Sequence, residues 1–307
     1  MPEAHRRPPT APLGLLNVDK PAGVTSRDVV NRVQWLLKQH AKAAGVKAAK
    51  VGHAGTLDPI ATGVLVLCVG QATRLIEHVQ RQPKRYRGTF LLGRRSPSDD
   101  IELPVEELSD PPIPTRDEIE SALSAFTGPI DQIPPAYSAI KIDGQKAYDL
   151  ARRGEAPEMK PRRVTIYELA IVSYVYPELV LDIRCGSGTY VRAIGRDVAH
   201  SLGTAAVMSA LVRTRIGPFC VDEALRLDDL DAVTLPNRLL PARLAVADLP
   251  RIEVTVREAE ELGCGRFLAR PDLPTGREIA AFDSAGELVA LVKPRSGGQV
   301  QPVRVFR

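Results

Sequence analysis

The stretch VGHAGTLDPIATGVLVLCVG, residues 51–70, carries the first signals of both fold and chemistry in this 307-residue chain. Its second half, GVLVLCVG, is a continuous apolar run bounded by glycines, the pattern of a buried strand. Its first half is a short loop with one histidine, His53, and one aspartate, Asp58, among small and β-branched residues. Gly52, Gly55 and Gly63 allow backbone conformations that other residues resist, and close approach by a ligand. Pro59 fixes its own φ and pushes Asp58 towards an extended conformation. A carboxylate held that way is a turn-former, half of a structural ion pair, or a catalytic group. The loop alone favours the turn.

Outward from this stretch, helices and strands are mixed. Upstream, LGLLNVDKPAG reads as a strand ending in a turn at Pro21 to Gly23. TSRDVVNRVQWLLKQH places Val29, Val33, Leu36 and Leu37 on one helical face, with Thr25 or Ser26 as N-cap. AKAAGVKAAK reads as a flexible basic link. Downstream come a helix at ATRLIEHVQ and a strand at KRYRGTFLLG, and the polar, proline-punctuated stretch from Arg94 to Pro114 reads as an exposed loop. TRDEIESALSAFTG has a Thr115 cap and Gly128 as terminator. IDQIPPAYSAIKIDGQKAYDLARRGE starts as a loop and continues as a basic amphipathic helix. RVTIYELAIVSYVY and ELVLDIRC bracket a turn at Pro177; GSGTYVRAIGRDVAHSLG enters a helix, and VMSALVRTRIG is a further strand. From about residue 249 a short helix and several strand-like pieces form a small β-rich module. The class is α+β.

Composition narrows the function. The net charge, 41 − 37 = +4, is compatible with an anionic partner without requiring one. Cys68, Cys185, Cys220 and Cys264 form no CxxC pair, and the five histidines make no HxxxH or HExxH pattern, so neither a zinc site nor a disulfide scaffold is expected. Residues 1–12 are proline-rich and basic, a disordered leader rather than a signal peptide. No apolar run reaches the roughly 20 residues that cross a bilayer. The expectation is a cytoplasmic protein with no membrane association.

Several pieces then occur together and in order: NVDKPAGVTS, GHAGTLDPIATGVLVLCVGQATR, KRYR, QIPPAYSAIKIDGQKAYDLARRG and CGSGTYVRAIGRDVAHSLG. In them the chain resembles the TruB-type tRNA pseudouridine synthases, across most of residues 13–216. The resemblance implies the pseudouridine synthase fold, a mixed, largely antiparallel sheet flanked by helices and loops, over residues 13–248. It further implies a small PUA-like RNA-binding module over residues 249–307. The implied reaction turns uridine into pseudouridine at position 55 of the tRNA T loop: the C1′–N1 bond breaks, the base turns, and it rejoins through C5. No cofactor or metal is needed. The implied partner is tRNA, through its T-arm stem-loop; no obligate protein partner is expected, and the chain is expected to be a monomer.

By the same resemblance Asp58 is the catalytic aspartate, Arg192 its partner, and Tyr86 the active-site tyrosine that stacks on the target base and helps remove the C5 proton. An arginine partner fits the physics, because a pocket that excludes water opposes ionisation of a carboxylate and a paired cation restores it. Arg192, near the positive end of its helix, gains nothing from the dipole and calls for an anion. His53 matches the histidine that steadies the flipped nucleotides. Tyr190 and Leu211 match positions lining the base pocket, with Gly55, Thr56 and Leu57 around the aspartate. Lys20 is expected near the site, as a structural or a catalytic group. One departure stands out: the family's T-x-T-x-D-x-x-G-like loop is replaced by GRRSPSDDIELPV, and residues 93–105 receive no role. Three other readings remain open. They are the catalytic subunit of a guide-RNA-directed pseudouridylase, a tRNA-binding or tRNA-folding protein in which catalysis is secondary, and a two-carboxylate glycoside hydrolase, for which nothing near Asp58 supplies the second carboxylate.

Overall fold

Alternating burial along the strands and long stretches of β-branched residues build one large sheet. The computed structural model describes residues 12–138, 141–142, 144–147, 150, 153–155, 159–273 and 276–306. In chain order its main elements are β1 (Gly14–Lys20), α1 (Ser26–Ala44), β2 (Val51–His53), β3 (Thr62–Val69), α2 (Ile76–Arg81), β4 (Lys84–Leu92), α3 (Arg116–Leu123), β5 (Gly128–Gln132), β6 (Arg162–Val175), β7 (Glu178–Cys185), α4 (Val191–Ser201), β8 (Ala206–Ile216), β9 (Phe219–Cys220) and β10 (Leu225–Arg226). The sheet has ten strands. Eight run in the order β10-β1-β3-β8-β4-β7-β6-β5, with β2 added beside β3 and β9 beside β8. Pairing is antiparallel except for β1 with β10 and β3 with β8, so the sheet is mixed and largely antiparallel. The α+β class read from the sequence is the class observed.

The run GVLVLCVG is strand β3, buried along nearly its whole length. Leu65 and Leu67 meet Val29, Val33 and Leu37 of α1, while Val64, Val66 and Cys68 join a second cluster with Leu75 and Val79. A strand covered on both faces has no use for polar alternation, which is why the run is continuous. A third cluster packs α3 and α4 onto β4, β6, β7 and β8 through Phe90, Ile119, Ile166, Leu181, Ile194 and Met208.

Helix boundaries follow their caps. Thr25 caps α1 in a capping box with Asp28, and Thr115 caps α3 with Glu118. Helix α1 runs past the sequence reading: Ala41 to Ala44, expected in a flexible link, are helical. Alanine and lysine are good helix formers, and the first residue to need a left-handed conformation is Gly45, at φ 66°. ATRLIEHVQ divides into a 3-10 turn over Gly70–Leu75 and α2. The basic helix expected after residue 147 falls largely outside the described residues.

After Pro250 come β11 (Arg251–Glu253), α5 (Val256–Gly263), β12 (Leu268–Ala269), β13 (Ile279–Phe282), β14 (Leu288–Arg295) and β15 (Gln299–Val305), in a separate five-stranded sheet of order β11-β13-β14-β15-β12. Strand β13 is buried on both faces. Ile279 and Ala281 face the module's own core with Leu262 and Val292, whereas Ala280 and Phe282 join Leu15, Val64 and Leu75 of the large sheet's cluster. Polar contacts reinforce that seam: Arg74 Nη1 donates to the Val305 carbonyl at 2.8 Å, and Arg304 Nη1 lies 2.9 Å from His78 Nε2. Among the described residues no helix is long and apolar enough to cross a membrane.

Candidate active site

Loop 54–61 joins β2 to β3, and three buried groups hold it from behind. Ser26, at the start of α1, gives up a capping role to Thr25 and turns its hydroxyl to Leu57; its Oγ accepts from Leu57 N at 2.8 Å and donates to Leu57 O at 3.1 Å. Lys20, fully buried at the end of β1, donates through Nζ to the carbonyls of Pro21, Val24 and Pro59. Burial pushes the Lys20 ammonium down to about 8. Arg213 of β8, 1 % exposed, donates to the carbonyls of Val64, Thr56 and Gly55 at 2.7, 3.3 and 3.1 Å. Gly63, at φ 94°, lets β3 come this close: a Cβ there would lie 2.3 Å from the Arg213 carbonyl oxygen.

Held in this way, the loop presents Asp58 to a cavity of about 1070 Å³. The carboxylate is 35 % exposed, and its Oδ2 lies 3.1 Å from Nε of Arg192, whose side chain is 7 % exposed. The rest of the guanidinium is committed to buried partners. Nη1 meets Asp100 Oδ2 at 3.0 Å and the Ser98 carbonyl at 2.8 Å, and Nη2 meets the Tyr137 carbonyl at 3.1 Å. One arginine therefore joins an accessible carboxylate to an inaccessible one, since Asp100 has no solvent exposure.

Around Asp58 the cavity collects side chains from separate elements. Tyr86 on β4 is 8 % exposed, and burial raises its phenol above the usual range, so it is neutral at pH 7. Tyr190 sits at the N-terminus of α4, its backbone pinned by Gln132: Gln132 Nε2 donates to Tyr190 O at 3.0 Å and Tyr190 N donates to Gln132 Oε1 at 2.8 Å. Leu211 closes another wall, and His53, whose ring burial pushes down below its usual range, lines the cavity as a neutral imidazole. Lys84 lines it too, donating to the Gln80 carbonyl, and burial lowers its ammonium to about 8.

Of the residues singled out in the sequence, Asp58, Tyr86, Arg192, His53, Tyr190, Leu211, Gly55, Thr56 and Leu57 come together around this one cavity. Lys20 does not: it lies behind the loop with its ammonium turned to backbone carbonyls. The stretch from Arg94 to Pro114 is largely exposed, as expected, but not throughout. Arg94–Arg95 pairs with Glu106–Glu107, and that ribbon folds Ser98 and Asp100 inward against α4. Asp100, Ser98, Arg213 and Gln132 carry the site without having been read from the sequence. For Arg213 a signal existed, because strand alternation sets it on the same face as Leu211. Asp100 lies in a segment with no periodicity to read.

Two family models match. The TruB family pseudouridylate synthase N-terminal domain covers residues 42–191, and the C-terminal domain of tRNA pseudouridine synthase II covers residues 249–307. The chain belongs to the TruB family. It is 40 % identical over 318 residues to tRNA pseudouridine synthase B of Caulobacter vibrioides, covering 99 % of each chain. To the protein of the same name from Streptomyces avermitilis it is 40 % identical over 309 residues, covering 97 % of each. Among solved structures, a chain of a Cbf5–Nop10–Gar1 complex superposes with a TM-score of 0.72 at 25 % identity, over 96 % of this chain and 84 % of that one. A chain from an H/ACA RNP bound to a substrate RNA containing 2′-deoxyuridine gives 0.72 at 23 %, over 96 % and 85 %. This TruB-family chain is thus an enzyme of the tRNA pseudouridine synthase class, with the pseudouridine synthase fold. Among its described residues no three His, Cys, Asp or Glu side chains cluster as metal ligands.

Proposed function

We propose that this TruB-family enzyme isomerises the uridine at position 55 in the T loop of tRNA, acting on bare tRNA without a guide RNA. The observation that carries the reading is the Asp58–Arg192 pair at the wall of a cavity large enough for a nucleotide and its neighbours. Pockets for small ligands run to about 1,000 Å³. A uridine inside a folded loop reaches such a cavity only by leaving its stack. Among the described residues that line the cavity, Asp58 is the carboxylate in contact with the buried Arg192 guanidinium. It acts at the ribose as the C1′–N1 bond breaks; the freed base turns, C5 bonds to C1′, and the proton lost from C5 is balanced by one gained at N1.

The neighbours divide the remaining work. Tyr86, neutral and rigidly buried, offers its ring face to the base. His53, also uncharged, fills the space that the flipped nucleotide leaves, and Tyr190 and Leu211 wall the base. The five-stranded unit from residue 249 acts as a PUA-like RNA-binding module beside the catalytic domain, residues 13–248. The second carboxylate on Arg192 is Asp100, which has no solvent exposure and cannot reach a substrate. Glu77 and Glu102 also line the cavity, and burial together with the neighbouring Asp100 and Asp58 raises the Glu102 carboxyl above its usual range. It is the similarity to tRNA pseudouridine synthases that favours isomerisation over a two-carboxylate hydrolysis.

Tritium release from a T-arm transcript labelled at uridine C5 tests this. Wild type alone releases tritium, Asp58→Asn does not, and replacing the target uridine by cytidine abolishes release. Full activity of Asp58→Asn, or a requirement for added RNA or protein, overturns the reading.

A further inference from the structure

Helix α4 carries a second arginine, Arg196, one turn beyond Arg192 and on the same face. It lines no part of the cavity, yet it binds the same two segments that Arg192 binds. Arg192 joins Ser98 and Asp100 of one loop to the Tyr137 carbonyl of another. Arg196 joins Asp99 of the first loop, at 2.8 Å, to the Ile133 carbonyl of the second, at 2.8 Å; its Nε also meets Asp197 at 2.8 Å. Two rungs thus tie loop 96–100 and segment 132–138 to one helix. Only the first touches Asp58.

The second rung sits at the turn on which the first depends. Asp99 adopts a left-handed conformation, φ 60°, uncommon for any residue but glycine. Its amide donates to the Ser96 carbonyl at 3.1 Å and its carbonyl accepts from Met208 N at 2.9 Å. The turn reverses the chain so that Ser98 O and the Asp100 carboxylate arrive side by side at Arg192. Asp100 is then locked from its other side, where Oδ1 accepts from Ser98 Oγ at 2.5 Å and from Glu102 N at 3.0 Å. Here the chain carries the S-P-S-D-D stretch in place of a glycine-ended loop, and among the described residues the Asp99 carboxylate forms its ion pair with Arg196, which holds the turn closed, both side chains being less than a fifth exposed.

We propose that Arg196 and Asp99 are positioning residues for the isomerisation: their ion pair fixes the turn that delivers Asp100 to Arg192, and thereby the orientation of Asp58. The proposal rests on Asp58 being the catalytic aspartate. Neither residue lines the cavity, so the pair is expected to govern the chemical step rather than the affinity.

The test uses the full chain and a T-arm stem-loop, with single-turnover tritium release at saturating enzyme and a separate RNA-binding measurement. Asp99→Gly removes the carboxylate while glycine keeps the left-handed turn without strain. Arg196→Met removes the cation and keeps the side chain's length. Each slows the single-turnover rate about tenfold to a hundredfold, the scale of a displacement of about 1 Å at a reacting group. RNA affinity stays within about twofold. The double variant is no slower than the slower single one, because both break the same link. Arg196→Lys, which keeps one charge-assisted contact, recovers part of the rate. Wild-type rates in both Asp99→Gly and Arg196→Met overturn the proposal, as does a loss of rate matched by an equal loss of affinity. Asp58→Asn in the same assay separates the two ideas. If it is inactive while the Arg196 and Asp99 variants are unimpaired, only the positioning role fails; if it is active, the reading of the active site fails.

Discussion

Changing Asp100 to asparagine tests the arginine bridge at its hidden end. The substitution keeps the side chain's shape and removes one charge from a group with no solvent exposure. In wild type Oδ1 accepts from Ser98 Oγ and Glu102 N while Oδ2 faces Arg192 Nη1 at 3.0 Å. An asparagine cannot satisfy both sides. With its oxygen towards Glu102 N, its amide N–H groups point at the guanidinium; flipped, they point at a backbone N–H. Removing one partner of a buried pair costs about 3–5 kcal/mol, and Arg192 retains Asp58 and two carbonyls, which sets the loss near the lower bound, about 3 kcal/mol. At about 2–4 °C per kcal/mol for a large domain, the melting temperature falls by about 6–12 °C. The guanidinium loses its deepest anchor, so the single-turnover rate drops about tenfold to a hundredfold. RNA affinity holds, because Asp100 lies out of reach of any ligand. Thermal melting and single-turnover tritium release read both numbers. An Asp100→Asn enzyme with the wild-type rate and melting temperature would refute the bridge.

Two further outcomes follow from burial. Lys84, lowered to about 8 by desolvation, is charged below that pH and neutral above it, and because it lines the cavity we expect it to add an RNA contact that is present at pH 7 and lost by pH 9. Lys84→Met therefore weakens T-arm binding several-fold at pH 7, on the order of one screened charge contact of about 1 kcal/mol, and has little effect at pH 9; an equal effect at both values counts against a titrating Lys84. Gly195→Ala is the opposite of the usual helix-stabilising change. Alanine gains up to about 1 kcal/mol in helix propensity, but its Cβ would lie 2.1 Å from the Phe90 ring, an overlap that costs about 1–3 kcal/mol or more once α4 is pushed off β4. Net destabilisation is expected in denaturant unfolding, and a gain in stability would show that α4 has room to move.

Much of the site was legible because its chemistry is concentrated in short, locally ordered motifs. Asp58 and His53 share one loop, Tyr86 sits on a strand with clean alternation, and Tyr190 and Arg192 open a helix that its apolar face announces. The Thr115 cap was legible for a similar reason, and of the two caps the sequence offered for α1, Thr25 or Ser26, the capping box with Asp28 selects Thr25. What escaped was long-range. Asp100 becomes meaningful only when a two-residue ribbon folds its loop back against α4, and neither polarity nor proline content records that contact. For Lys20 the sequence left a structural and a catalytic role open, and the structure shows its ammonium on three carbonyls that shape the loop.

The same long-range contact explains how Arg192 is held against the half-exposed Asp58 carboxylate. With Asp58 as its one carboxylate, the buried Arg192 would depend for charge balance on a partner that is 35 % exposed to the cavity, and breaking a buried pair costs several kcal/mol. Asp100 gives it a second partner with no solvent exposure. The carbonyls of Ser98 and Tyr137 occupy further donors of the guanidinium. With those donors engaged in the interior, Nε is left for Asp58 at 3.1 Å. On the function proposed above, a base entering the cavity would meet a carboxylate whose buried partner is held in place by Asp100, Ser98 and Tyr137 rather than free to turn towards an RNA phosphate. Were Asp100 as exposed as Asp58, Arg192 could trade either partner for a phosphate. The inequality of the two carboxylates is what directs the charge.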